Sequence, residues 1–191
     1  MPTSHPFQIN EIVSIIRAAN PKALLDIGVG FGKYGFLARE YLELWDGREK
    51  YNEWTRTIDG IEIFPEYITP LQHYIYDNIF IGDAIEILPR LQTHYDLTLL
   101  IDTLEHFDKA DGIKLLKECL LRSDNILISV PIDIGNQKAA FGNFYGTHRF
   151  QWETHHFAEV SKGLFFVKNK KSLIIYMGKN YYEVMRKLKG K

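Results

Sequence analysis

In this chain acidic residues stand at the ends of short apolar runs, each beside glycines or a histidine, and that placement is where chemistry is expected. Asp26 sits in Leu24-Leu25-Asp26-Ile27 and is followed by Gly28, Gly30, Gly32 and Gly35. Glycine at every second position lets the backbone bend sharply and lets a ligand reach the main chain without meeting a Cβ, while a helix starting there presents unpaired amides. Such a loop grips a nucleotide-like molecule. Glu62 closes the run Thr57–Glu62, and Gly82-Asp83-Ala84 closes the run 78–84. A carboxylate can accept two hydrogen bonds from a vicinal diol. The run Tyr95–Ile101 leads into Asp102-Thr103-Leu104-Glu105-His106-Phe107, three ionisable groups within five positions. His106 has the ordinary basicity to take a proton from a hydroxyl near neutral pH.

Two frames fit the glycines. Gly30, Gly32 and Gly35 match G-x-G-x-x-G, the dinucleotide pattern that places a helix start against a pyrophosphate. Asp26 opens the other frame, because a carboxylate beside the loop suits a cationic amino-acid moiety and repels a pyrophosphate. Asp26-x-Gly28-x-Gly30-x-Gly32 resembles the first motif of class I S-adenosylmethionine-dependent methyltransferases, and the resemblance extends over residues 20–177. It implies that Asp26, Gly28, Gly30 and Gly32 hold the cofactor's amino-acid end, with Asp102 also facing the cofactor. In the same resemblance Glu62 takes the ribose hydroxyls, Asp83 accepts the adenine amino group, and Ile63 and Ala84 flank the ring. Asp83 can also cap the helix that follows. The interval between the loop and Glu62 exceeds the usual spacing of about 20 residues. Residues 45–54, polar and aromatic, account for the difference as an extended helix end and a loop.

Many methyltransferases that act on oxygen carry a Glu-His pair after the fourth strand, so the resemblance makes Glu105 and His106 the catalytic pair, with His106 as base. Residues 132–152 hold three glycines and a cluster of aromatics without periodicity, and are read as a substrate lid in which Phe144, Tyr145 or Trp152 stacks on the acceptor. The expected acceptor is a hydroxyl-bearing small molecule or glycan. A second reading comes from Asp102-x-x-Glu105-His106 with the later His148. These resemble the ligand set of metal-dependent small-RNA 3′-terminal ribose methyltransferases, in which Mg²⁺, Mn²⁺ or Zn²⁺ grips two ribose hydroxyls. A net charge of −1 and a pI of about 6.7 offer no field for nucleic acid. His148 and Arg149 are therefore expected as loop residues bonded to backbone or solvent, with no metal. Asn143-Phe144-Tyr145-Gly146 lacks the prolines of the amino-group DNA methyltransferase motif and follows the wrong strand. A cofactor-binding domain without catalysis is the third alternative.

The elements that must position these groups follow from periodicity. Apolar runs at Leu24–Ile27, Thr57–Glu62, 78–84, Tyr95–Ile101, Asn125–Val130, Leu164–Val167 and Leu173–Met177 predict seven strands, with helices between the first five and a closing hairpin. That is an α/β, Rossmann-like, doubly wound, mainly parallel sheet with a C-terminal antiparallel hairpin. In 191 residues with 46% hydrophobic composition it makes one domain. Residues 8–19 carry apolar positions at helical spacing and predict a helix that covers the domain, too short and polar to span a membrane. Cys119 is the single cysteine, expected as packing, and its isolation fits a cytoplasmic protein. The basic tail, residues 181–191, is expected to be solvated and frayed.

Overall fold

The computed structural model describes residues 3–51, 53–135, 137–139 and 141–190. Among these, seven strands form one sheet: β1 Ala23–Ile27, β2 Thr57–Glu62, β3 Asn78–Ile81, β4 Leu97–Ile101, β5 Asn125–Pro131, β6 Leu164–Lys168 and β7 Ser172–Gly178. Their order is β3-β2-β1-β4-β5-β7-β6. The first five run parallel, while β7 pairs antiparallel with both β5 and β6. The expected fold is present. The third strand ends at Ile81, short of the expected Ala84, because Gly82 takes a φ of 141° and Asp83 begins a helix. Tyr95 makes only an isolated bridge to Ser123.

The strands read as unbroken apolar runs because both faces of the sheet are covered, and successive side chains point to opposite faces. Leu24, Ile58, Leu97 and Leu127 pack under α1 (Ile9–Ala19), α2 (Lys33–Arg39), α3 (Pro70–Ile75) and α7 (Tyr181–Lys189). Their neighbours Leu25, Ile61, Leu100 and Ile126 pack under α4 (Ala84–Ile87), α5 (Lys109–Arg122) and α6 (Thr154–Val160). Cys119 is buried in this second layer, as its packing role requires. The helix expected over 8–19 is α1, which ends where Asn20 turns left-handed, at φ 51°, ahead of Pro21.

Two expectations need correction. The C-terminal residues are not frayed: Tyr181, Val184 and Leu188 share one face of α7, Val184 is buried, and Lys187 Nζ donates to Ala18 O at 3.2 Å. Their spacing is helical, and the charge of the tail hid it. Trp152 is not part of a substrate wall. It is 2% exposed, lies where a Cβ on Gly112 would come within 2.3 Å of its Cζ2, and donates from Nε1 to Leu104 O at 3.0 Å. The long insertion after α2 is held by Arg39 and Glu43. Arg39 bonds Glu43 at 2.6 Å and Asp77 at 2.8 Å, while Glu43 accepts from the amides of Thr55 and Arg56.

Candidate functional site

The strand order reverses at β1 and β4, so the connections leaving their carboxyl ends diverge and open a crevice. A cavity of about 510 Å³ fills it. Every residue that the sequence assigned to cofactor, chemistry or metal lines this cavity, with the exception of Gly32. Gly32 instead starts α2 at φ 86°, against Ile75. Gly28 is needed for two reasons: its φ is 84°, and a Cβ there would come within 2.5 Å of the Thr103 hydroxyl. That hydroxyl donates to Ile27 O at 3.0 Å and so ties the β4 end to the glycine loop.

The acids of the cavity are anchored before any ligand arrives. Glu62 accepts from Gly30 N at 2.8 Å through one carboxylate oxygen and from Phe64 N at 2.9 Å through the other. Each oxygen keeps a second lone pair. Asp83 caps α4, accepting from Ile85 N at 2.8 Å, beside Ile63 and Ala84. Asp26 accepts from the Tyr76 hydroxyl at 2.6 Å. Asp102 sits at φ 50°, a sparsely populated conformation for a residue with a Cβ. Its carboxylate accepts from Gln8 Nε2 at 2.8 Å, His5 N at 3.2 Å and Ser129 Oγ at 3.0 Å. The Gln8 side-chain oxygen lies against the same Ser129 hydroxyl, whose single hydrogen it shares with Asp102, so the chain before α1 is tied across the ends of β4 and β5.

Burial raises the pKa of Asp26 to about 7, with further upward pressure from Glu62 and opposition from the Tyr76 hydrogen bond. Burial likewise raises Glu62, Asp102 and Glu105. For Asp26 the linkage has a definite sign. A carboxyl that holds its proton more tightly in the folded state loses stability as pH rises from its unfolded value near 4 toward 7. Asparagine can still accept the Tyr76 bond and carries no charge. Asp26→Asn, without ligand, is therefore expected to melt above the parent protein at pH 8 and to lose that advantage by pH 4. Calorimetric melts across that range check it, and a constant difference would contradict the buried charge as its cause.

At the far end of the cavity Glu105, His106 and His148 converge, their ligand atoms all within 4.8 Å of one another. His106 Nδ1 lies 3.1 Å from Thr147 O, and His148 Nδ1 is bonded to Ile134 O. A carbonyl only accepts, so both Nδ1 atoms carry a hydrogen, and both Nε2 atoms are left for another partner. His148 Nε2 is 4.0 Å from Glu105 Oε1, and Glu105 Oε2 is buried without a partner. Burial drops His106 to a pKa of about 4, so its ring is neutral at physiological pH. The structure overturns two expectations here. Asp102 lies outside this cluster because Gln8, His5 and Ser129 hold its carboxylate. Of the three aromatics expected to stack on an acceptor, Tyr145 lines the cavity and Phe144 and Trp152 do not. Sequence reasoning missed Ser4, His5, Lys33 and Tyr34, which also line it. Lys33 and Tyr34 directly follow the glycine loop, and that adjacency was the available signal.

The fold is the seven-stranded, Rossmann-like fold of the class I methyltransferases. No family model matches the chain, and no curated protein matches it in sequence. Solved structures do. An O-methyltransferase family protein from Burkholderia thailandensis superposes with a TM-score of 0.63 at 11% identity, over 89% of this chain and 55% of that one. The N-terminal domain of EvdMO1, determined in the presence of SAH and D-fucose, gives 0.63 at 14%, over 92% and 84%. The methyltransferase domain of a bacterial CtHen1 gives 0.56 at 16%, over 90% and 97%. The chain thus spans just over half the length of the Burkholderia protein and nearly all of the CtHen1 domain. Among the described residues no helix is long and apolar enough to cross a membrane.

Proposed function

We propose that the protein is an S-adenosylmethionine-dependent methyltransferase whose acceptor is a hydroxyl of a small molecule or glycan. One observation carries the reading: a single cavity takes in Asp83 and Glu62 at the ends of β3 and β2, the glycine loop after β1, and the Glu105, His106 and His148 cluster beyond β4 and β5. The residues fit the cofactor. Buried acids around the cavity suit a ligand bearing a sulfonium and an ammonium, whereas a pyrophosphate would meet repulsion from Asp26 and Glu62. The spare lone pairs of Glu62 suit ribose hydroxyls, and Ile63 and Ala84 supply apolar flanks for a base. Bound there, the cofactor would supply an electrophilic methyl group with a neutral thioether as its leaving group. The protein's share is then alignment and removal of the acceptor's proton.

His106, stationed by Thr147, presents a neutral Nε2 for that proton, but the ordinary basicity expected from sequence is not kept: the burial that holds the ring neutral, with a pKa of about 4, also weakens it as a base. The same cluster also fits a divalent cation, and here the observations favour more than the sequence did. The other ring nitrogen of each histidine is already bonded to a backbone carbonyl, the arrangement that orients metal-binding imidazoles, and Glu105 offers an unpartnered oxygen. Two nitrogen donors favour Mn²⁺ or Zn²⁺ over Mg²⁺. A cation held by Glu105, His106 and His148 would place positive charge beside the acceptor oxygen and ease loss of its proton. The second reading of the acceptor, the 3′-terminal ribose of RNA, is supported by this cluster of candidate metal ligands. The near-neutral charge weighs against it.

Calorimetric titration with SAH and NAD, followed by transfer of labelled methyl to pools of sugars, phenols and RNA with and without chelator, tests the reading. SAH binding and chelator-sensitive transfer to a hydroxyl are expected. Tight NAD binding with no SAH binding would overturn it. SAH binding without transfer to any pool would leave a cofactor-binding domain, and transfer that survives exhaustive chelation would remove the metal and leave His106 as the base.

A further inference from the structure

The charges that line the cavity are divided. Asp26, Glu62, Asp83 and Asp102, with Lys33 beside them, stand on the side of the glycine loop, where the sulfonium and ammonium of the proposed cofactor would face them. On the side of the segment after β5 the lining holds two cations, Arg149 and Lys171. Their backbones are fixed. Arg149 N donates to Glu105 O at 2.8 Å, and Lys171 O accepts from Ile132 N at 2.9 Å. Gln151, two residues after Arg149, accepts from Ile134 N at 3.0 Å and donates to Pro131 O at 3.2 Å. Both cations therefore hang beside one short stretch, 131–134, whose Ile134 O also receives the His148 hydrogen. Their heads are uncommitted. The Arg149 guanidinium, 48% exposed, approaches Asp108 at 3.8 Å, too far for a hydrogen bond, and Lys171 is bonded through its backbone alone among the described residues. Two acids share this side of the cavity. Asp111 is exposed, and burial holds the Glu105 carboxyl well above the usual carboxylate range, so it adds little negative charge of its own.

We propose that the acceptor is a small acid, a hydroxyl compound carrying a carboxylate or phosphate group that Arg149 and Lys171 bind while its hydroxyl faces His106. The proposal rests on the methyltransferase reading and narrows its acceptor. A guanidinium offers two parallel N–H donors that match a carboxylate or a phosphate, and an ammonium adds a point charge. Arg149 follows His148 directly, and its charge is close enough to add to the burial that keeps the His106 ring neutral. An anion held there is thus beside the ring that would take the proton. Tyr145, half-exposed in the same cavity, is available to the body of the acceptor. A neutral sugar or phenol fills the same space and leaves both cations without a partner.

Matched pairs test it, titrated calorimetrically into the SAH-saturated protein: glucuronate and glucose 6-phosphate against glucose, and 3,4-dihydroxybenzoate against catechol. At least one acid is expected to bind about 10-fold or more tightly than its neutral partner, the range for a charge-assisted hydrogen bond, and the arm that does so tells carboxylate from phosphate. Arg149→Gln should remove most of that preference, and Lys171→Gln should reduce it by about 3-fold. Arg149→Lys should keep part of it, because the charge stays and the fork is lost. SAH affinity and melting curves of all three variants should match the parent, since neither side chain holds the glycine loop or the core. Neutral partners that bind as well as the acids, acids that do not bind, or a preference that survives Arg149→Gln would overturn the acidic acceptor and leave the cofactor reading standing. A short RNA bound more tightly than every small acid, through Arg149, would overturn the small acceptor in favour of a nucleic-acid end. Failure of SAH to bind, with the acids still held by the ligand-free protein, would instead overturn the methyltransferase reading, and the role of the acid as acceptor with it.

Discussion

Replacing His106 by alanine is expected to lower methyl transfer by about 10²-fold or more, the usual loss for a group that moves a proton in the rate-determining step, and to leave SAH affinity within about twofold. The separation follows from where the ring sits. His106 lines the cavity bonded to Thr147 rather than to the glycine loop or to Glu62, on the side that the proposed function gives to the acceptor. Steady-state turnover together with titration of SAH measures both quantities. A titration of activity with Mn²⁺ then separates the two chemical roles. If the ring is a ligand, the variant needs more metal; if it is a base, the requirement is unchanged and only the rate falls. Turnover equal to that of the parent would remove His106 from the reaction under either role.

Glu62→Ala should be the most damaging change at the cofactor end. Its carboxylate is 4% exposed and accepts the amides of Gly30 and Phe64. Alanine abandons two buried donors, at about 1–3 kcal/mol each, besides the proposed ribose contacts. Stability and SAH affinity should therefore fall together. Glu62→Gln keeps an oxygen for one amide and places an NH₂ against the other, so it should retain the fold better and still bind SAH poorly. Thermal melts and titration of the two variants check this pair. Undiminished SAH affinity in Glu62→Gln would show that the carboxylate serves the loop alone.

What was legible in the chain was local. A strand covered on both faces announces itself as an apolar run, so β1, β2, β4, β5 and the β6–β7 hairpin could be placed from residue type. The acids at the strand ends were legible for the same reason, because their positions follow once the strands are known. Contacts between residues far apart in sequence leave no such mark. Gln8, Asp102 and Ser129 share a buried network although each stands in an unremarkable local context. Aromatic residues in a loop were legible as a cluster but not by direction: Trp152 turns into the core beside Gly112, Tyr145 faces the cavity, and Phe144 is 80% exposed. The convergence of His148 on Glu105 and His106 depends on Arg149 N reaching Glu105 O at 2.8 Å, a pairing across 44 residues that no short-range pattern encodes.

The two carbonyls that receive the histidine hydrogens, Ile134 O and Thr147 O, belong to the long segment after β5. That segment also brings Tyr145 to the cavity. Reactivity at the cluster and the posture of this segment are consequently one variable. If it swings away, both imidazoles lose the bond that selects their tautomer, the ring nitrogens facing the acceptor cease to be dependable lone pairs, and the acceptor loses its aromatic neighbour in the same movement. Substitutions far along the segment that touch neither ligand would then silence the chemistry through tautomer populations, and imidazole nitrogen chemical shifts would register the loss before any change in cofactor affinity.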